Sequence, residues 1–221
     1  MGVSAKICGL STEEAVAAAS AAGAAYLGFV FYPASPRAVT PRRAARLCAG
    51  IPAGIGRVGL FVDAYDRTVD AVLAAVPIDI LQFHGDETPD RVAAAKLRFG
   101  RPVMKAVAIA GPEDVIDAAR YEAVADRLLF DRKPPRRPDA LPGGNGLAFD
   151  WALIADRSWR VPWMLSGGLT AELLPEAVRI SGAAAVDVSS GVENRPGIKD
   201  LDKIRAFLAA ARAIQSPMQA A

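Results

Sequence analysis

Eight short apolar runs recur along this 221-residue chain, each followed by a helix-like segment. The runs cover residues 5–10, 25–31, 57–62, 78–84, 103–109, 127–131, 162–166 and 184–189. Each is rich in Val, Ile, Leu or Phe and shows little polar alternation. Strands of a parallel sheet read this way because helices cover both faces. The intervening segments open on helix-start signals. Ser11-Thr12-Glu13-Glu14 supplies a capping hydroxyl and early acids. Thr40-Pro41, Thr88-Pro89-Asp90 and Gly111-Pro112-Glu113-Asp114 put Pro where a helix begins. Further starts fall near Asp66, Asp150, Thr170 and Asp200. Eight strand–helix units predict one α/β domain, a single (β/α)8 or TIM barrel. An open doubly wound sheet is the alternative, but no Gly-x-Gly-x-x-Gly follows the first run. The barrel is expected over residues 1–215, with 216–221 as a frayed tail.

Composition narrows the function classes. Hydrophobic residues make up 52% of the chain, enough for a large core. The net charge is +2 and Lys and Arg are scattered, which gives no basis for a nucleic-acid groove. Cys8 and Cys48 are the only cysteines, a usage expected of a reduced, cytoplasmic protein. The N-terminus has no signal-peptide pattern, and no apolar run is long enough to span a bilayer. A soluble protein without membrane partners is expected, as a monomer or a homodimer.

In barrels of this kind the C-terminal strand ends face the active site. Those ends bring Cys8, Arg37 in the loop after the second strand, Asp63, His84, Lys105, Asp131, Gly167-Gly168 and Asp187-Val188-Ser189-Ser190-Gly191. Cys8 and Asp131 close the first and sixth runs. A thiol and a carboxylate on one rim would form an acid/base pair for proton transfer without a cofactor. The plainer readings are a small buried hydrophobe for Cys8 and a turn cap for Asp131. An unperturbed thiol has a pKa of about 8.5, and Lys6, two residues earlier on the same strand face, would favour thiolate if it reached it. Burial would raise the Asp131 pKa and let it hold a proton. Cys48, in a helix-like segment, reads as packing.

Loops seven and eight carry Ser166-Gly167-Gly168-Leu169 and Ser189-Ser190-Gly191. Small residues there let backbone N–H groups close on a phosphate, although ordinary turns have similar composition. His84 is the only histidine. With two nearby acids it makes a poor metal site, so hydrogen bonding at the rim is the better reading and no metal is expected. Arg37 follows two prolines, in Pro33-Ala34-Ser35-Pro36-Arg37. That stiff loop suits a guanidinium gripping a carboxylate, and a solvated loop arginine is the alternative. Residues 134–146 hold four prolines, three glycines and two adjacent arginines, and a lid or substrate clamp is expected there.

These segments resemble the phosphoribosylanthranilate isomerase family of tryptophan biosynthesis nearly end to end. The resemblance is carried by Lys6-Ile7-Cys8-Gly9-Leu10, by Gly28-Phe29-Val30-Phe31 through Ser35-Pro36-Arg37, and by Val58-Gly59-Leu60-Phe61-Val62. It continues in Leu81-Gln82-Phe83-His84-Gly85-Asp86-Glu87, Leu129-Phe130-Asp131, Gly143-Gly144-Asn145-Gly146 with Phe149-Asp150-Trp151, Leu165-Ser166-Gly167-Gly168-Leu169, and residues 186–193. It implies a cofactor-free barrel that converts N-(5-phosphoribosyl)anthranilate, a phosphosugar carrying an anthranilate, to the 1-deoxyribulose isomer by an Amadori rearrangement. It further implies Asp131 as general acid, Cys8 as general base and Arg37 on the anthranilate carboxylate. Gly168, Ser189, Ser190 and Gly191 would serve the phosphate, and Asp187 would support the pocket floor. Asn145 departs from the small hydroxyl residue common in that loop.

Three rivals accompany this reading. A histidine-pathway aminoaldose isomerase of the same barrel class would use paired aspartates, where this chain has Cys8. Indoleglycerol-phosphate synthase would need a lysine and glutamate set that is not found. A non-catalytic phosphate-binding barrel would not need both Cys8 and Asp131.

Overall fold

The computed structural model describes residues 2–133 and 149–214. Eight parallel strands close in chain order into a barrel: β1 (Ser4–Cys8), β2 (Tyr26–Val30), β3 (Gly56–Phe61), β4 (Ile80–Phe83), β5 (Val103–Ile109), β6 (Arg127–Arg132), β7 (Trp163–Leu165) and β8 (Ala185–Val188). The ring shuts where β1 pairs with β8, with Lys6 opposite Asp187. Among the described residues eight α-helices alternate with the strands: α1 (Glu13–Ala21), α2 (Pro41–Ala49), α3 (Asp66–Ala75), α4 (Pro89–Phe99), α5 (Pro112–Ala118), α6 (Ala152–Ala155), α7 (Leu174–Ser181) and α8 (Leu201–Ala213).

The start signals act as the sequence suggests. Thr12, Thr40 and Thr88 accept hydrogen bonds from the N–H groups of Ala15, Arg43 and Arg91, and Asp200 accepts from those of Asp202 and Lys203. Each satisfies donors that a helix start leaves without an intrahelical partner. Two helices differ from expectation. α6 is a single four-residue turn. α7 begins at Leu174 rather than near Thr170. Thr170 does turn the chain, accepting from the N–H of Leu173 on its hydroxyl and of Leu174 on its carbonyl, but regular helix starts only beside Pro175. A short antiparallel hairpin, β9 (Glu193–Arg195) and β10 (Ile198–Lys199), follows the eighth strand and is not visible as an apolar run. The segments 134–146 and 216–221, expected as lid and tail, lie outside the described residues.

Successive residues on a strand face opposite sides, and that parity builds two cores. Ile7, Leu27, Phe29, Phe61, Phe83 and Phe130 belong to the large cluster shared with the helices. Val58, Ile80, Met104, Ala106, Leu129 and Met164 form a separate cluster, and Cys8, Val30 and Leu60 another. The parity of these smaller clusters continues into Lys6, Gln82, His84, Asp131, Ser166, Asp187 and Ser189. The polar residues of the strand ends therefore share the inward face.

Lys105 has the other parity, which corrects its expected place on the rim. Its ammonium donates to Glu87 at 3.0 Å and to the Gly85 carbonyl, and it lies 5.6 Å from the Tyr121 ring centre. Glu87 also accepts from the N–H groups of Asp63 at 2.8 Å and Gly85 at 2.9 Å. The buried pair therefore ties the segments that follow β3 and β4 to β5 from outside the barrel. Asp63, also expected on the rim, belongs to this tie and accepts from the Asp86 N–H. Removing one partner of a buried ion pair leaves an uncompensated charge. Lys105→Met is expected to lower the unfolding free energy by about 3–5 kcal/mol, measured by urea denaturation. A loss below about 1 kcal/mol would show that the pair does not clamp the strand ends.

Candidate active site

Cys8 ends β1 and is buried. Its register partner on β2 is Gly28. A Cβ on Gly28 would lie 3.0 Å from the Cys8 sulfur and 3.2 Å from Lys6 Cε, so the missing side chain makes room for both. Lys6 is fully buried and donates to Asp187 Oδ1 at 2.8 Å. Ser166 Oγ donates to the other Asp187 oxygen at 3.2 Å. Burial alone would pull the Lys6 pKa down. The Asp187 charge and hydrogen bond, together with Cys8, outweigh it and hold the ammonium above its usual range.

Burial also dominates at Cys8 and pushes its thiol up; the Lys6 charge opposes this and Asp187 adds to it. Lys6 does share the face of Cys8, as the strand period predicts. Its charge is largely matched by Asp187, so the net effect leaves the thiol protonated. Cys48, inside α2, is pushed up to about 11, again mainly by burial.

Asp131, near the end of β6, is buried with its Oδ1 accepting from the Arg132 N–H at 2.8 Å. His84 links it to the barrel interior. Gln82 Nε2 lies 2.9 Å from His84 Nδ1, and His84 Nε2 lies 3.2 Å from Asp131 Oδ2. An amide nitrogen only donates, so in this arrangement Nδ1 accepts and the Nε2–H donates to Asp131. Gly167 closes the site from β7. Its φ is +87°, and a Cβ there would lie 3.0 Å from Asp131 Oδ1 and 2.9 Å from the Arg132 nitrogen. Both its conformation and its contact favour glycine.

Loops seven and eight meet beside Cys8. Gly168 also has positive φ, at +68°. Residues Ser190–Val192 form a short 3-10 turn, whose opening N–H groups have no carbonyl within the turn to serve. Ser189 Oγ donates to the Cys8 carbonyl at 3.2 Å. Gly191 packs directly against the Leu169 carbonyl, where a side chain would not fit.

Arg37 is buried rather than solvated, and one edge of its guanidinium grips a carboxylate of the chain itself. Its Nε and Nη2 donate to Glu193 Oε1 and Oε2 at 2.8 and 2.9 Å. Lys199 donates to Glu193 at 2.8 Å and to the Ser189 carbonyl at 2.9 Å. Burial would raise the Glu193 carboxyl, but hydrogen bonds and charge from Arg37 and Lys199 hold it below the usual carboxylate range. Burial pulls Lys199 below the usual lysine range, more than Glu193 can offset.

All the candidate residues sit at one barrel mouth: Cys8, Asp131, His84, Asp187, Gly167, Gly168, Ser189, Ser190 and Gly191 on strand ends and their loops, and Arg37 against the β9–β10 hairpin. Sequence reasoning missed Gln82, Glu193 and Lys199. The Pro196-Gly197 dipeptide was the one available signal for the hairpin that carries the last two. Among the described residues no group of three or more His, Cys, Asp or Glu side chains could hold a metal ion, and no helix is long and apolar enough to cross a membrane.

Residues 5–210 match the family model described as N-(5'phosphoribosyl)anthranilate (PRA) isomerase. The N-(5'-phosphoribosyl)anthranilate isomerase of Paramagnetospirillum magneticum is 57% identical over 96% of this chain and 98% of the relative. That of Paracoccus denitrificans is 58% identical over 96% of this chain and 99% of the relative. The phosphoribosyl anthranilate isomerase structure from Thermotoga maritima superimposes with a TM-score of 0.85 at 36% identity, covering 96% of this chain and all of that one (100%). Another isomerase structure, in complex with reduced 1-(o-carboxyphenylamino)-1-deoxyribulose 5-phosphate, has a TM-score of 0.82 at 33% identity, covering 96% of this chain and 100% of that one. The chain belongs to the N-(5'-phosphoribosyl)anthranilate isomerase family.

Proposed function

We propose that this barrel catalyses the Amadori rearrangement of N-(5-phosphoribosyl)anthranilate in tryptophan biosynthesis, with Asp131 as general acid and Cys8 as general base. The observation that carries the residue roles is the inward parity of both side chains at the same barrel mouth. Asp131 donates a proton to the furanose ring oxygen, the ring opens and a Schiff base forms. Cys8 then removes the C2′ proton to give an enolamine, which tautomerises to the ketone. These are proton transfers within one substrate, so one acid and one base suffice.

Burial and charge support the division of labour. A thiol held above its ordinary pKa is a poor source of thiolate in the empty pocket but a strong base once ionised. The cationic Schiff base acidifies the C2′ proton and favours the thiolate when it is needed. His84 and the Arg132 N–H provide donors to the Asp131 carboxylate as it forms. Gly167, Gly168, Ser189, Ser190 and Gly191 take the phosphate on their backbone N–H groups. Arg37, held by Glu193, faces the anthranilate carboxylate, and Asp187 supports the floor through Lys6. The reaction needs no cofactor. We place the enzyme in the cytoplasm on its two unpaired thiols, Cys8 and Cys48. Its proposed state is a monomer or a homodimer, as the family includes a dimeric enzyme from Thermotoga maritima.

Two measurements test this reading. Phosphoribosylanthranilate, generated in situ from anthranilate and phosphoribosyl pyrophosphate, should lose its fluorescence faster with the protein present. Cys8→Ser and Asp131→Asn should each lower kcat by about 10²–10⁴-fold with substrate still bound. Near-normal turnover in either variant would remove that residue from its role, and a loss confined to KM would make it a binding group. Thiolate ultraviolet absorbance gives the second measurement, with Cys48→Ala isolating Cys8. The buried thiol should show no ionisation step below pH 9. In the same way, the stability gained by keeping Cys48 protonated should be full below pH 9 and lost as pH rises through about 11. A Cys8 step near neutrality would mean that Lys6 outweighs burial.

A further inference from the structure

Gln82 is an anomaly in the barrel interior. It is fully buried, and its register partners are Leu60 on β3 and Met104 on β5. Ile80, two residues earlier on the same face, belongs to the apolar interior cluster. A primary amide there is costly unless both ends are satisfied. Only one is: Nε2 meets His84 Nδ1 at 2.9 Å, while Oε1 has no hydrogen-bond partner among the described residues. A leucine or methionine would fill this position without that cost.

The amide has two orientations with distinct consequences. With Nε2 toward His84, Nδ1 accepts, the ring proton sits on Nε2, and Nε2–H donates to Asp131 Oδ2 as a carboxylate. After a half-turn of the amide, Oε1 faces His84 and accepts from Nδ1–H. Nε2 then carries a lone pair and accepts from Asp131 as a carboxylic acid. The two settings match the two protonation states through which a general acid must pass. Among the described residues each leaves one end of the amide unsatisfied, so turning the amide breaks no second hydrogen bond. We propose that Gln82 is a positioning residue for the acid: its amide selects which nitrogen of His84 carries the proton, and through His84 whether Asp131 Oδ2 accepts a hydrogen bond or donates one. This rests on the assignment of Asp131 as the general acid. No net proton is gained or lost by the Gln82–His84 pair; the ring exchanges which nitrogen bears its single proton, and the proton delivered to substrate is that of Asp131.

His84 is the only histidine in the chain, so heavy-nitrogen labelling of histidine reports one imidazole. In the parent protein with Asp131 ionised, the nitrogen spectrum should show Nε2 protonated and Nδ1 bare. Gln82→Leu should move both nitrogen signals toward a tautomer mixture. Gln82→Glu, which offers only an acceptor to the ring, should add a proton at Nδ1 while Nε2–H still meets Asp131, so that both nitrogen signals become those of a doubly protonated ring. In the turnover assay Gln82→Leu should lower kcat by about 10–100-fold with KM changed less than about twofold. Should Gln82→Leu fail to fold, Gln82→Met is the substitute, matched in length and still unable to hydrogen-bond Nδ1. Unchanged imidazole signals in the folded variants would overturn the proposal, as would a loss carried by KM alone. If the parent protein shows the predicted tautomers but no turnover of phosphoribosylanthranilate, the assigned reaction fails while the selection of the His84 tautomer stands.

Discussion

The buried pair between Lys6 and Asp187 sits where the barrel closes, and much of the site depends on it. The two residues are register partners on the first and last strands, joined at 2.8 Å. The ladder on the other side of β8 is thin, with Leu165 opposite Val186 as its single register pair. The seam therefore relies on β1–β8 pairing, and a charged pair spans that pairing inside the ring. Dehydrating an ammonium and a carboxylate is costly, and their attraction offsets it only with good geometry and further hydrogen bonds. Ser166 supplies one of these to Asp187. The arrangement also fixes the strand on which Cys8 is the next inward residue, so closure of the fold and placement of the thiol are one event.

A second ionic group sits above the first and has a different balance. Arg37 and Lys199 share the single carboxylate of Glu193. Around Glu193, two cations therefore meet one carboxylate, whereas Lys6 has Asp187 to itself. The Lys199 pKa is lowered because burial exceeds what a shared carboxylate can compensate. A ligand bearing a phosphate at one end and a carboxylate at the other would supply the missing negative charge. The built-in carboxylates explain how these cations survive burial: each is held by a carboxylate of the protein itself.

The barrel was legible in the sequence because its strands are covered on both faces and its helices begin on Thr, Asp and Pro at the expected offsets. Cys8, His84, Asp131 and Asp187 were legible for the same reason: a strand end is readable to within a residue, and the two-residue period then sets its face. Lys105 shows the limit of reading ends without parity. It lies on a strand near the rim, yet one step of register turns it to the helices, where Glu87 and Tyr121 wait. Glu193 and Lys199 were illegible because their hairpin is short and polar and leaves no periodic trace. The partner of Arg37 lies 156 residues away in sequence, a contact that only closure of the ring reveals.

Burial of the Cys8 thiol, the base of the proposed reaction, gives the polar pair beneath it a role. An apolar floor would push the thiol further up, and an unpaired lysine would pull it down. Lys6 neutralised by Asp187 lies between these extremes. Its positive end is close enough to oppose desolvation of the thiolate, as the two-residue spacing on one strand requires, while Asp187 prevents it from dominating. Gly28 is the steric condition for this compromise, because a Cβ on the neighbouring strand would press on both the sulfur and the lysine stem. The basicity of Cys8 is therefore set by three inward positions on adjoining strands, Lys6, Gly28 and Asp187, and none of them need touch the substrate to do so.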